Sequence, residues 1–159
     1  MSLSRRVALI VTVVLALDQL TKHWAVTELN EGRVIDVVWT LRFALGFNSG
    51  FAFSMGQGMG PVIGLIAVGA SVWLVRAALK ASTSWMSYAY ALIAGGAIGN
   101  VVDRLFREDG WMQGRVVDFI DFQWFPVFNI ADSSISIGAV LLVVGLWMQS
   151  HDESEERSL

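Results

Sequence analysis

Arg5-Arg6-Val7-Ala8-Leu9-Ile10-Val11-Thr12-Val13-Val14-Leu15-Ala16-Leu17-Asp18-Gln19-Leu20-Thr21-Lys22 decides what kind of molecule this is. Two cations precede eleven uncharged residues, and an acid and a base four positions apart follow them. The uncharged run alone has the length of a secretory h-region. A cleavage site needs small residues, however, and His23-Trp24-Ala25 is a poor match, so the stretch reads as an uncleaved helix over residues 7–26. A bilayer-crossing helix takes about 20 predominantly apolar residues. Three more runs of that length follow, at residues 59–79, 85–105 and 131–149. The expected fold is an α-helical membrane protein with four transmembrane helices, a single domain over residues 1–159 that ends in an acidic tail from residue 150.

Composition agrees. Mean hydropathy is +0.57, and the 16% of charged residues is far below the roughly 25% of soluble domains. The net charge of -3 is local: of 11 Lys/Arg and 14 Asp/Glu, the tail after Ser150 takes one and four, leaving ten of each in the body. A neutral body without a basic stripe argues against a nucleic-acid partner. Four spans put both termini on one side, and Arg5 and Arg6 lean that side towards the cytoplasm.

Between the spans the pattern changes period. Over residues 35–47 the odd positions Ile35, Val37, Trp39, Leu41, Phe43, Leu45 and Phe47 are apolar, while Asp36, Thr40 and Arg42 fall on the other face. That is strand periodicity. A second β-rich stretch covers residues 115–125, so a small β-rich cradle is expected at the membrane surface, capping the helices.

Missing residues remove chemistries. Without Cys there is no thiol nucleophile or disulfide. His23 and His151 are the only histidines and cannot build a zinc cluster or an HExxH helix. No GxSxG-type turn is present for a serine nucleophile. A Ser-Lys dyad would have to recruit Lys22 or Lys80, so if the chain is an enzyme its expected working groups are carboxylates.

Ionisable groups at membrane depth are costly and therefore informative. Asp18 and Lys22 share one helix face and read as an internal ion pair. Gly95 and Gly99 make a small face for close helix packing, and Asn100, Asp103 and Arg104 follow within about one turn. Asp103 is open between an interfacial charge pair and a functional role. Asp132 reads either as the N-cap of the last helix or as a working acid. Asp118, enclosed by Val116, Val117, Phe119 and Ile120, is a solvated strand residue or a tuned acid. The glycine-rich stretch at residues 48–54 lacks a Walker lysine, leaving a connector or a substrate cover. The alternative from these residues alone is a proton-coupled membrane transporter subunit relaying charge through Asp18, Asp103 and Asp132.

Five blocks taken together carry a resemblance. They are Asp18-Gln19-Leu20-Thr21-Lys22, Asn48-Ser49-Gly50-Phe51-Ala52-Phe53, the run from Gly95 to Arg104, Val116-Val117-Asp118-Phe119, and the run from Phe125 to Ser133. In this order the chain resembles the lipoprotein signal peptidases, or signal peptidase II, an aspartyl protease family of the bacterial inner membrane. The resemblance implies both termini in the cytoplasm and an active site near the outer membrane face. It implies cleavage of a prolipoprotein just before a diacylglyceryl-modified cysteine, with no cofactor. Its catalytic pair maps onto Asp118 and Asp132. Asp18, Lys22, Asn48, Gly50, Asn100, Arg104 and Asn129 match positions around the site; Phe51 departs from the small residue common there. A monomer among membrane lipids is expected. Two adjacent carboxylates share a proton. Asp118, among apolar neighbours, is expected to hold it, and Asp132, at a helix start, to act as the base.

Overall fold

The computed structural model describes residues 1–49, 60–107 and 111–156. Eight elements follow in chain order: α1 (Leu3–Glu28), a 3-10 turn (Asn30–Gly32), β1 (Val34–Val38), β2 (Leu41–Asn48), α2 (Gly60–Lys80), α3 (Ser84–Phe106), β3 (Val116–Asp121) and α4 (Ile130–Glu156). The architecture is a helical bundle with a small antiparallel sheet.

Local chemistry starts the helices where they start. The Ser2 hydroxyl accepts from the Arg5 N–H at the head of α1, and the Thr83 hydroxyl does the same for the Met86 N–H of α3. Helix α3 packs against α1, α2 and α4, and its small residues permit this. A Cβ on Gly95 would lie 2.9 Å from Val14 Cβ, and one on Gly99 2.6 Å from Asp18 Oδ2. Backbones can approach that closely only where side chains are absent.

The outside of the bundle is apolar. Leu9, Val13, Leu17 and Leu20 on α1, and Ile137, Val140, Val143 and Trp147 on α4, are exposed. Pro61–Lys80 and Ile130–His151 are each long and apolar enough to cross a membrane, with mean hydropathies of 2.1 and 1.9, and little of either is buried inside the protein. A core helix of a soluble protein would be mostly covered, so these surfaces fit lipid. The other two helices do not meet the same measure; they carry Asp18, Lys22, Asn100, Asp103 and Arg104.

The apolar odd positions of residues 35–47 belong to a hairpin rather than to one strand. Ile35 pairs with Phe43 and Asp36 with Arg42. Trp39, at φ 51°, sits in the turn and is 91% exposed. The two-residue turn pairs Val38 with Leu41, an even position with an odd one, and the bulge between Asp36 and Val38 restores the odd-with-odd pairing of Ile35 and Phe43, so the alternation runs through the hairpin. The second β stretch is shorter than expected: β3 ends at Asp121. It pairs antiparallel with β2, Gly46 opposite Asp118 and Asn48 opposite Val116. Val117 and Phe119 pack with Ala25 of α1 and with Leu29 at its C-cap, and Trp24 meets Phe43 and Phe119 edge-on at 5.4 and 6.1 Å. The tail is helical at its start, since α4 continues to Glu156 instead of ending at residue 149.

Candidate active site

The head of α4 organises the site. Asn129, not Asp132, is its N-cap: the Asn129 Oδ1 accepts from the Asp132 N–H at 2.9 Å. In return the Asn129 N–H donates to Asp132 Oδ2 at 3.3 Å. This is a reciprocal capping box in which Asp132 occupies the third helical position. The N–H between them, that of Ala131, donates to Asp18 Oδ1 at 2.9 Å, so a carboxylate of α1 completes the cap of α4. The segment entering the helix is fixed by two backbone bonds between Ile120 and Phe128, 2.8 and 3.1 Å long. They bring Asn129 beside β3.

On β3, Asp118 is nearly sealed, with 6% of its surface exposed. The second function of Asn129 is here: its Nδ2 donates to Asp118 Oδ1 at 2.6 Å and to the Val117 carbonyl at 3.2 Å. Asn48, from β2, hydrogen-bonds the same carboxyl. Burial, and then the negative charge of Asp132, push the Asp118 carboxyl up to about 7. One asparagine side chain thus spans the two aspartates, donating to the first and capping the backbone of the second.

Behind the pair lies a buried charge cluster. Lys22 Nζ contacts Asp18 Oδ2 at 2.8 Å, Asp103 Oδ2 at 2.9 Å and Asn100 Oδ1 at 2.9 Å, with Lys22, Asp18 and Asp103 fully buried. The Asn100 Nδ2 in turn donates to Asp132 Oδ1 at 2.9 Å. Asp103 also takes Arg107 Nε at 2.6 Å and the Val117 N–H at 3.2 Å, tying α3 to the strand that carries Asp118. Arg104 is buried within electrostatic reach of Asp103 and Asp118.

Of the residues singled out from sequence, Asp18, Lys22, Asn48, Asn100, Arg104, Asp118, Asn129 and Asp132 converge here. Gly50, with Phe51 and Phe53, lies outside the described residues. The simple Asp18–Lys22 pair becomes a three-acceptor node, because Lys22 keeps Asp103 and Asn100 without Asp18. Two members went unread. Gln19 donates to Asp18 Oδ2, to the Gly99 carbonyl and to Asp103 Oδ1 at 3.1–3.2 Å, and nothing in its local sequence announces this. Arg107 stands four residues after Asp103, a spacing that does announce a helix pair. An apolar groove of about 400 Å³ between α2 and α3, lined by Val68, Val72, Arg76, Ile98 and Val101 among others, includes none of these carboxylates.

The residues 10–148 match the family model described as signal peptidase (SPase) II. A lipoprotein signal peptidase of Rhodococcus jostii is 47% identical over 133 residues, spanning 83% of this chain and 67% of that protein. One of Mycobacterium avium is 44% identical over 144 residues, 88% of this chain and 79% of that protein. A bacterial membrane enzyme solved by the in meso method at 2.3 Å is similar in structure, with a TM-score of 0.83 and 31% identity across 92% of this chain and 90% of that one. A second, solved at 1.9 Å, gives a TM-score of 0.75 at 31% identity, covering 89% and 92%.

Proposed function

The chain belongs to the signal peptidase II family, an aspartic-type endopeptidase that removes signal peptides from prolipoproteins, and we propose that Asp118 and Asp132 are its catalytic pair. The observation that carries this is the Asn129 bridge, which joins a carboxyl whose ionisation is opposed by burial to a second carboxyl at a helix N-terminus.

The chemistry follows from one proton held between two acids. Asp132 takes a proton from water as its oxygen adds to the scissile carbonyl carbon, and Asp118 gives its proton to the carbonyl oxygen. A tetrahedral diol results, with Asp132 now protonated and Asp118 ionised. On collapse Asp132 protonates the leaving nitrogen, the C–N bond breaks, and Asp118 recovers a proton from a diol hydroxyl. The pair returns to its starting state without a covalent intermediate. Arg104, beside Asp118, supplies positive charge towards the developing oxyanion. Asn100 and Asn129 hold the carboxylates rather than the substrate.

The reading extends to a single-domain monomer with four membrane spans and both termini in the cytoplasm. The sheet and the head of α4 then stand at the outer face, where a diacylglyceryl-modified cysteine is held by lipid and cleaved on its N-terminal side. The apolar exteriors of the helices support the membrane setting of this reading. The test is a gel shift of a lipidated precursor incubated with purified protein, with unlipidated precursor as control. Asp118→Asn and Asp132→Asn should each abolish cleavage while leaving a folded protein with a cooperative unfolding transition, and near-normal cleavage by either variant would remove the pair from the chemistry.

A further inference from the structure

Every hydrogen-bonding group around Asp132 has its polarity imposed by something else. An asparagine amide can be turned either way, and its orientation is set by its neighbours. Lys22 can only donate, so the Asn100 oxygen must face it at 2.9 Å and the Asn100 N–H must face Asp132 Oδ1. The Asp132 backbone N–H likewise can only donate, so it takes the Asn129 oxygen and turns the Asn129 N–H towards Asp118. The Asn129 backbone N–H occupies Asp132 Oδ2. Both oxygens of Asp132 therefore accept from donors that cannot reverse, one of them a backbone N–H and the other an amide fixed by Lys22, and such donors favour the ionised form.

The charges agree with that arrangement. Among the described residues, Asp132 lies within electrostatic reach of Asp18 and Lys22 from α1 and of Asp118 from β3, and the same cluster continues through Lys22 and Asp118 to Asp103, Arg104 and Arg107 on α3. Four acids meet three cations. The cluster is neutral when a single proton is added, and Lys22 is the cation connected through Asn100 to the aspartate that goes without it.

Resting on the catalytic-pair reading above, we infer that Lys22 is a positioning residue for the general base: it locks the Asn100 amide with its N–H towards Asp132, so that Asp132 stays ionised and the single proton of the pair resides on Asp118. The lysine acts on the reaction through one intervening side chain, without touching the substrate. Its two carboxylate partners, Asp18 and Asp103, hold it in place for this task.

The experiment is the pH profile of kcat/KM for a lipidated precursor with Asn100→Leu, which removes the N–H on Asp132 while Lys22 keeps both carboxylates. The acid limb should move up by about one pH unit or more, the equivalent of a tenfold change in an ionisation equilibrium, with KM within about twofold of the parent. Lys22→Gln should move the same limb, and the double variant should move it by less than the sum of the two, because the lysine acts through the asparagine. A uniform fall in rate with an unmoved limb would reduce Asn100 and Lys22 to structural support and overturn the inference. A second measurement needs no variant at these positions: carbon-13 NMR of aspartate-labelled parent protein in micelles should show Asp118 as the protonated carboxyl between the two titration steps. Asp132 protonated there would overturn the inference equally. Either failure leaves the pair itself standing, whereas retained cleavage by Asp118→Asn or Asp132→Asn would remove the reading on which it rests.

Discussion

Replacing Lys22 by Met should damage the protein more than deleting either of its carboxylates, and a second mutation should repair part of the damage. Lys22 spends all three ammonium protons, on Asp18, Asp103 and Asn100. Deleting Asp18 leaves two of those acceptors in place. What is lost with Asp18→Ala is one charge-assisted bond and the cap on the Ala131 N–H, about 2–3 kcal/mol together. In Lys22→Met the accounting differs, because the carboxylates lose a cation they cannot replace. Asp103 still has Arg107, so its loss is one strong hydrogen bond, about 1.5–3 kcal/mol. Asp18 is left as a buried acid without a cation, and breaking such a pair from one side costs about 3–5 kcal/mol. The sum, about 5–8 kcal/mol, approaches the whole stability of an ordinary domain. In detergent micelles, where about 1 kcal/mol moves Tm by 2–4 °C for a chain of this size, Asp18→Ala should lower Tm by roughly 4–12 °C and Lys22→Met by roughly twice that. The sign that decides is the double variant: Asp18→Leu placed on Lys22→Met removes the stranded acid and should recover roughly half the loss. If the double variant were no more stable than Lys22→Met alone, the three-acceptor node would not be what holds α1 to α3 and α4.

How the sequence announces this structure depends on whether a signal is local. The apolar runs mark the four helices well, and the period-2 alternation of residues 35–47 marks strands; the hairpin turn was hidden because Trp39 and Thr40 preserve the alternation they interrupt. Asp118 and Asp132 stand out as carboxylates beside apolar residues, and their pairing rests on motifs recognised across the whole chain rather than on spacing. The sequence offers Asp132 as a possible cap of α4, and the cap is Asn129, three residues earlier. Asn129 and Asp132 are both good N-cap residues three apart, and the backbone bond between Phe128 and Ile120, a tertiary contact, chooses between them. Gln19 and the Ala131 N–H joined the site without warning, since each finds its partner more than 79 residues away or on a neighbouring helix. Helices α1 and α3 fall short as membrane spans by hydropathy because Asp18, Lys22, Asn100 and Asp103 on them meet one another inside the bundle.

Three further outcomes are expected. Gly99→Ala should cost about 1–3 kcal/mol, because its Cβ would meet Asp18 Oδ2, which Lys22 and Gln19 hold in place; a Tm unchanged from the parent would mean that the carboxylate can move aside. Gly69→Ala on α2, with nothing within 4 Å of the added Cβ, should instead stabilise the helix by about 0.5–1 kcal/mol, and a fall in Tm would show an unseen neighbour. The third concerns pH. The Asp118 carboxyl is raised from 3.8 to about 7 in the folded protein, so between those values the folded state binds a proton that the unfolded chain has released. Its contribution to stability is full below the unfolded value and is lost as pH rises through about 7. At 1.36 kcal/mol per unit, the loss is about 4 kcal/mol at most. Asp118→Asn cannot ionise, so it should escape this loss: its Tm should exceed the parent's at pH 8–9 and the difference should shrink towards pH 5, even though the variant is inactive. In the proposed mechanism the same titration sets the alkaline limb of activity, because the proton leaving Asp118 would be the one delivered to the carbonyl oxygen. Parallel Tm curves for parent and variant across that range would mean that Asp118 is not buried as a neutral acid, and the alkaline limb would then need another group.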